Sequence, residues 1–211
     1  MKALRSSEQE AAEDIFFGQL VIIYARWFVV VAMTILVLWS SKTLNQMIIG
    51  IALIVPLIAL NFFIHGRYLM EKPANRLLLI ILGIVDAVVI SMIIAFWPGD
   101  SGMYSQFYFF YYPNILAFAF VFPVLLTVIY THFVLVIYIS TCIVVTPQFL
   151  EETTEIERLV IRLITLAATG MIGAYYYRIQ RSRRREIYTE DLPSASLAEV
   201  SVTFHLQSGR A

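Results

Sequence analysis

The chain has 211 residues, 60% hydrophobic and 14% charged, with a mean hydropathy of +0.78, whereas an ordinary soluble domain is nearer half apolar and a quarter charged. Fifteen basic residues balance 15 acidic ones, so no bulk basic field exists to attract nucleic acid, and the placement of the charges carries the information. The lone Cys142 falls in an apolar run, which excludes a disulfide framework and a cysteine-based metal site.

Lys2 and Arg5 are separated from the first apolar run by Glu8, Glu10 and further acids, a pattern unlike a cleaved signal peptide, so the first helix is expected to be retained. Ser7 and Glu10 have capping-box spacing and predict a short interfacial helix within residues 1–18 that runs into the first span. A spanning helix needs roughly 20 apolar residues, and six stretches approach this at 20–40, 46–64, 77–97, 107–122, 124–146 and 159–177. The expected fold is therefore all-α, a polytopic transmembrane bundle over 19–178, followed at 179–211 by a helical extension and tail. The fourth stretch is short and is parted from the fifth only by Phe122-Pro123, which implies a tight hairpin or a re-entrant pair.

Loop charge sets the orientation. With both ends in the cytoplasm, Lys2, Arg5, Arg67, Lys72, Arg76, Arg178, Arg181, Arg183, Arg184 and Arg185 lie inside, and Lys42, Arg158 and Arg162 outside. Arg26 and Trp27 would then sit near the inner headgroups, the guanidinium reaching phosphate and the indole anchored at the interface. Trp39 and Trp97 would mark the outer aromatic belt. Arg178, Arg181, Arg183, Arg184 and Arg185 form a juxtamembrane basic cluster that attracts anionic lipid.

Asp86 lies in mid-span, where an ionised carboxylate costs several kcal/mol unless paired, hydrated or protonated. It is either a proton or ligand site, or a carboxyl hydrogen-bonded to a neighbouring helix through Asn61, Asn114, Tyr130 or Thr131. His132, in the fifth span, is either an interhelical hydrogen-bonding residue or the ligand of a pigment; a bis-histidine haem lacks its second intramembrane histidine, since His65 and His205 fall at a helix end and in the tail. The aromatic run Phe107 to Tyr112, followed by Pro113, either lines a hydrophobic pocket or anchors the start of a kinked helix. Gly170 and Ala174, four apart, would let another backbone approach closely.

The helix after the last span is expected to stop at Leu192-Pro193. Beyond it, Val200, Val202 and Phe204 alternate with polar residues in a strand pattern, disordered or added to a partner's sheet. No phosphate-binding loop, nucleophile elbow or metal-ligand cluster is present, and no cofactor is named by the sequence.

The order of marks resembles the six-helix membrane sensor region at the N-terminus of bacterial histidine kinases and diguanylate cyclases. The marks are Ala25-Arg26-Trp27, Leu60-Asn61-Phe62-Phe63, Asp86, Gly99-Asp100-Ser101-Gly102, Phe110-Tyr111-Tyr112-Pro113 and Arg181-Ser182-Arg183-Arg184-Arg185-Glu186, across about 15–187. The sequence departs from that family in carrying neither a phosphoacceptor-histidine motif nor a nucleotide-binding motif. The resemblance implies a sensor-type module of the bacterial inner membrane, non-enzymatic, that acts through a protein partner or as a homo-oligomer. The alternatives are a small proton-coupled transporter centred on Asp86, and a pigment- or quinone-binding subunit using His132 and the aromatic run.

Overall fold

The computed structural model describes residues 7–70, 75–97 and 100–208, apart from the side chains of 7–17, 181 and 183–208. Its helices are α1 (Ser7–Ser40), α2 (Leu44–Leu69), α3 (Arg76–Phe96), α4 (Tyr111–Val121), α5 (Val124–Val145) and α6 (Thr153–Ser208). Among the described residues there is no strand. The short turns are fixed locally. Thr43 Oγ1 accepts from the Gln46 amide while Gln46 Oε1 accepts from the Thr43 amide, a capping box that starts α2. Asn75 Oδ1 accepts from the Leu77 amide and starts α3.

Five segments, Gly18–Ser40, Leu44–Leu69, Arg76–Phe96, Val124–Val145 and Thr153–Gln180, are long and apolar enough to cross a bilayer. Their outward faces carry large apolar side chains, Leu125, Ile129, Val136, Ile161 and Ile164 among them, which is the inverse of a water-soluble surface. The chain is a multi-pass helical membrane protein.

At 11 residues, α4 is about 16 Å long, short of a hydrocarbon core of about 30 Å. A 3-10 turn, Gln106–Phe110, precedes it directly and adds about 10 Å at its steeper rise. Pro113 explains the switch. In one continuous α-helix its ring would collide with the carbonyl of residue 109; with the α-helix starting at Tyr111, Pro113 falls in the first turn, where a missing N–H is tolerated.

Contacts show that this two-part segment traverses the bundle. At one end Trp97 packs on Phe107 with ring centroids 5.0 Å apart, and a Cβ on Gly50 would meet both Val37 and Trp97. At the other end a Cβ on Gly18 would meet Val121, Arg76 lies 6.0 Å from the Phe122 ring, and Phe120 packs on Tyr176. The chain therefore crosses the bundle six times, and Gly18 and Tyr176 finish at the same end.

The helix expected to run from the N-terminal segment into the first span does so, α1 being continuous from Ser7 to Ser40. Other expectations change. Trp97 does not belong to an aromatic belt, being 3% exposed beneath Phe107, whereas Trp39 is 88% exposed and fits one. Most importantly, α6 does not stop at Pro193. Its backbone is helical to Ser208 and includes Val200, Val202 and Phe204. A helix pairs its backbone groups internally, whereas a lone strand leaves them without partners. The alternation read as a strand therefore loses its meaning, because positions two apart do not share a helix face.

Candidate functional site

Three buried polar residues of the spans, Arg26, Asp86 and Asn114, line a pocket between α1, α3 and α4, closed on another side by Leu57 of α2. Arg26 lies eight residues after Gly18, which abuts Val121, and Asp86 ten residues after Arg76, which lies over Phe122, so the two stand about 12 and 15 Å from the same end of the bundle. Parallel helices thus carry opposite charges at matching depth. Arg26 Nη2 lies 3.0 Å from Asp86 Oδ1, with the side chains 6% and 11% exposed. Arg26 is therefore not a headgroup anchor. Its helix turns it inward, where pairing with Asp86 offsets the cost of placing either charge in hydrocarbon.

The pair is in charge contact, yet none of Arg26 Nε, Nη1 and Nη2 nor Asp86 Oδ1 takes part in a hydrogen bond. Asn61 is 0% exposed, and both polar atoms of its side chain lack partners. It sits one turn from Leu57 on the buried face of α2. The antiparallel pairing of α1 with α2, marked by Trp27 against Phe62 at 5.1 Å, brings Asn61 close to the level of Arg26.

The other expected partners of Asp86 are engaged elsewhere. Asn114 Nδ2 donates to the Tyr130 hydroxyl at 2.8 Å, and Tyr130 donates in turn to the Gly83 carbonyl at 2.8 Å. This chain ties α4 to α5 and α3, with Asn114 still at the pocket wall. Thr131 donates to the Thr127 carbonyl within its own helix. A Cβ on Gly170 would collide with Thr131, so that glycine sets the close approach of α6 to α5.

The pocket is a partly open cavity of ≈ 20 Å³, room for about one water-sized group. Ala25, Val29, Val30, Leu57, Ile90 and Ala117 make its walls apolar around the charged pair. It offers buried donors and one carboxylate, an arrangement suited to binding. Among the described residues no three His, Cys, Asp or Glu side chains gather to hold a metal ion.

His132 lies apart from this site. It faces away from the bundle, and its Nδ1 meets the Val128 carbonyl at 2.8 Å within α5. The aromatic run is packed near the other end of that helix, Tyr108 stacking on Tyr138 at 6.2 Å, so the structure does not gather His132 with it. Arg162, read as an outer-loop charge, instead ties the bundle together: its Nη1 donates to the Met103 carbonyl at 2.6 Å and to the Tyr138 hydroxyl at 2.9 Å, and its guanidinium covers the Tyr108 ring at 4.0 Å. Arg178 is exposed at the end of the sixth crossing; the side chains of Arg181, Arg183, Arg184 and Arg185 lie outside the described residues.

Comparison with protein families, curated proteins and solved structures finds no match in any of the three.

Proposed function

We propose that the chain is a non-enzymatic sensing module of a bacterial inner membrane, which receives its stimulus at the Arg26–Asp86 pocket and passes it through α6 to a protein partner or a second copy of itself. The observation that carries this reading is the position of α4 between pocket and output. Pro113, Asn114 and Ala117 line the pocket, while Tyr112 bonds Thr165 of α6 at 2.7 Å and Ala119 fills the space beside Gly173. A displacement of α4 is felt at once by α6, because close-packed helices do not deform independently. In turn, α6 runs unbroken from Thr153 to Ser208, well beyond the apolar run, which gives way to basic residues after Tyr177.

Orientation follows from charge. Arg67, Arg76 and Arg178 collect at the end of the bundle that holds Gly18 and Tyr176, which favours that end as cytoplasmic. The basic residues after Tyr177 would then meet anionic lipid.

Spin labels at Tyr24→Cys on α1 and Arg178→Cys on α6, both exposed positions, test the reading. Their distance distribution is expected to differ between the otherwise unaltered protein and the Arg26→Met/Asp86→Leu variant. An identical distribution removes the pocket as an input.

A second reading, a proton-coupled transporter, draws on one observation: the fourth crossing is broken at the pocket, as discontinuous helices are at transport sites. Liposome flux that Asp86→Asn abolishes would favour it.

A further inference from the structure

The pocket is lined by Arg26 and Asp86, which form an ion pair at 3.0 Å and otherwise leave hydrogen-bonding groups unused, while the buried Asn61 of α2 lies outside its lining. A guanidinium carries five N–H donors, and Arg26 directs none of them into a hydrogen bond. Asp86 Oδ1 and both polar atoms of Asn61 are likewise without one. In hydrocarbon each such group costs free energy until something pairs with it. Arg26 is 5% exposed, Asp86 8% and Asn61 0%, so bulk water does not serve them.

The chemistry of an occupant follows. The charges of Arg26 and Asp86 cancel, so a further ion of either sign would arrive uncompensated in a low-dielectric site, which selects a neutral guest. The unused groups are mostly donors with some acceptors, so the guest offers acceptor oxygens and at least one O–H. The free space beside the pair is a cavity of ≈ 20 Å³, room for a single hydroxyl or carbonyl group of such a guest. The wider apolar surroundings suit an aliphatic body continuing into the bilayer.

We propose that the pocket binds the polar head of a neutral, membrane-dissolved amphiphile carrying ester or carbonyl oxygens together with a hydroxyl, held by Arg26 and accepted by Asp86. The proposal rests on the reading of this pocket as the input of the module, and names the class of molecule it takes.

The test uses the full chain in phosphatidylcholine nanodiscs and a photoactivatable monoacylglycerol with a diazirine near its head. Saturable labelling is expected on pocket residues such as Val29, Val30, Leu57 and Ala117, competed by unlabelled monoacylglycerol. Capture should weaken about tenfold or more in Arg26→Met/Asp86→Leu, and about tenfold in Ala117→Phe, which narrows the pocket and keeps the ion pair. Unsaturable labelling spread over the outward faces would overturn the proposal, as would equal pocket labelling by a headless diazirine alkane or stronger labelling by a diazirine fatty-acid anion. Labelling reads occupancy alone: pocket labelling with an unmoved α6 keeps the site and removes the signalling reading, and a moving α6 without labelling does the reverse.

Discussion

The hydroxyl of Tyr130 on α5 donates to the carbonyl of Gly83 on α3 at 2.8 Å, one turn before Asp86. The same hydroxyl accepts from Asn114 on α4 at 2.8 Å, and the ring stacks on Phe118 with centroids 4.0 Å apart. One side chain thus fastens three helices around the pocket. Tyr130→Phe retains the stacked ring and removes only the hydroxyl, leaving the Asn114 amide without that bond. A loss of about 1–2 kcal/mol is expected, since buried hydrogen bonds within membranes contribute modestly. Reversible unfolding in mixed micelles measures it, and no change would mean that water replaces the hydroxyl.

The ion pair beside it should behave asymmetrically. Arg26→Met leaves Asp86 alone in the bundle, and Asp86→Leu leaves Arg26 alone; each is expected to cost roughly 3–5 kcal/mol. The double variant Arg26→Met/Asp86→Leu should recover most of that loss, because well-packed apolar replacements of a buried pair are often neutral. A double-mutant cycle checks the coupling, and strictly additive losses would show that the two charges do not depend on each other.

The apolar runs make five of the crossings legible in the sequence, because lipid imposes length and hydropathy on each, whereas the fourth, an 11-residue α4 behind a 3-10 turn, is too short to be read that way. Asp86 is legible for the same reason, as a charge in hydrocarbon. Its partner is hidden when Arg26 is considered with Trp27 as a snorkelling pair, a reading that uses distance from the membrane surface but not the facing of α1. The signal that finds it is depth: Arg26 and Asp86 stand six and nine residues into the parallel apolar runs that begin at 20 and 77 and have opposite charge. The break of the fourth crossing follows from Pro113 only once the start of α4 is known. The course of α6 past Pro193 is not legible from local propensity at all, since a proline in a helix interior argues against continuation.

Arg162 makes a different kind of fastening. Its donors reach the Met103 carbonyl and the Tyr138 hydroxyl, and its plane covers Tyr108, so it joins α6, α5 and the turn that leads into the fourth crossing. Lysine offers a point charge without the planar fork. Arg162→Lys is therefore expected to loosen the turn Gly102–Tyr104 and the 3-10 segment Gln106–Phe110, with hydrogen exchange there rising about tenfold or more, while α2 is unaffected. Gly102 itself adopts φ 59 against Thr146, a left-handed conformation suited to glycine, so the turn keeps its path and changes only in stability. Unaltered exchange would assign its order to Gly102 and Thr146 alone.

The fourth crossing yields the sharpest topological prediction. If Gln106–Val121 connects the two ends of the bundle, as the packing of Phe107 on Trp97 and of Val121 beside Gly18 requires, residues flanking it face opposite sides of the membrane. Tyr104 and Val124, 47% and 40% exposed, are suitable labelling positions. Tyr104→Cys should react with a membrane-impermeant thiol reagent added from the side that also labels Thr43→Cys, and Val124→Cys only from the side that labels Leu69→Cys. Cys142, 0% exposed, should stay silent in the unsubstituted chain. Labelling of both Tyr104→Cys and Val124→Cys from one side would make the segment re-entrant, leave five crossings, and place Gly18 and Tyr176 on opposite sides. The proposed output through α6 would then need a different orientation.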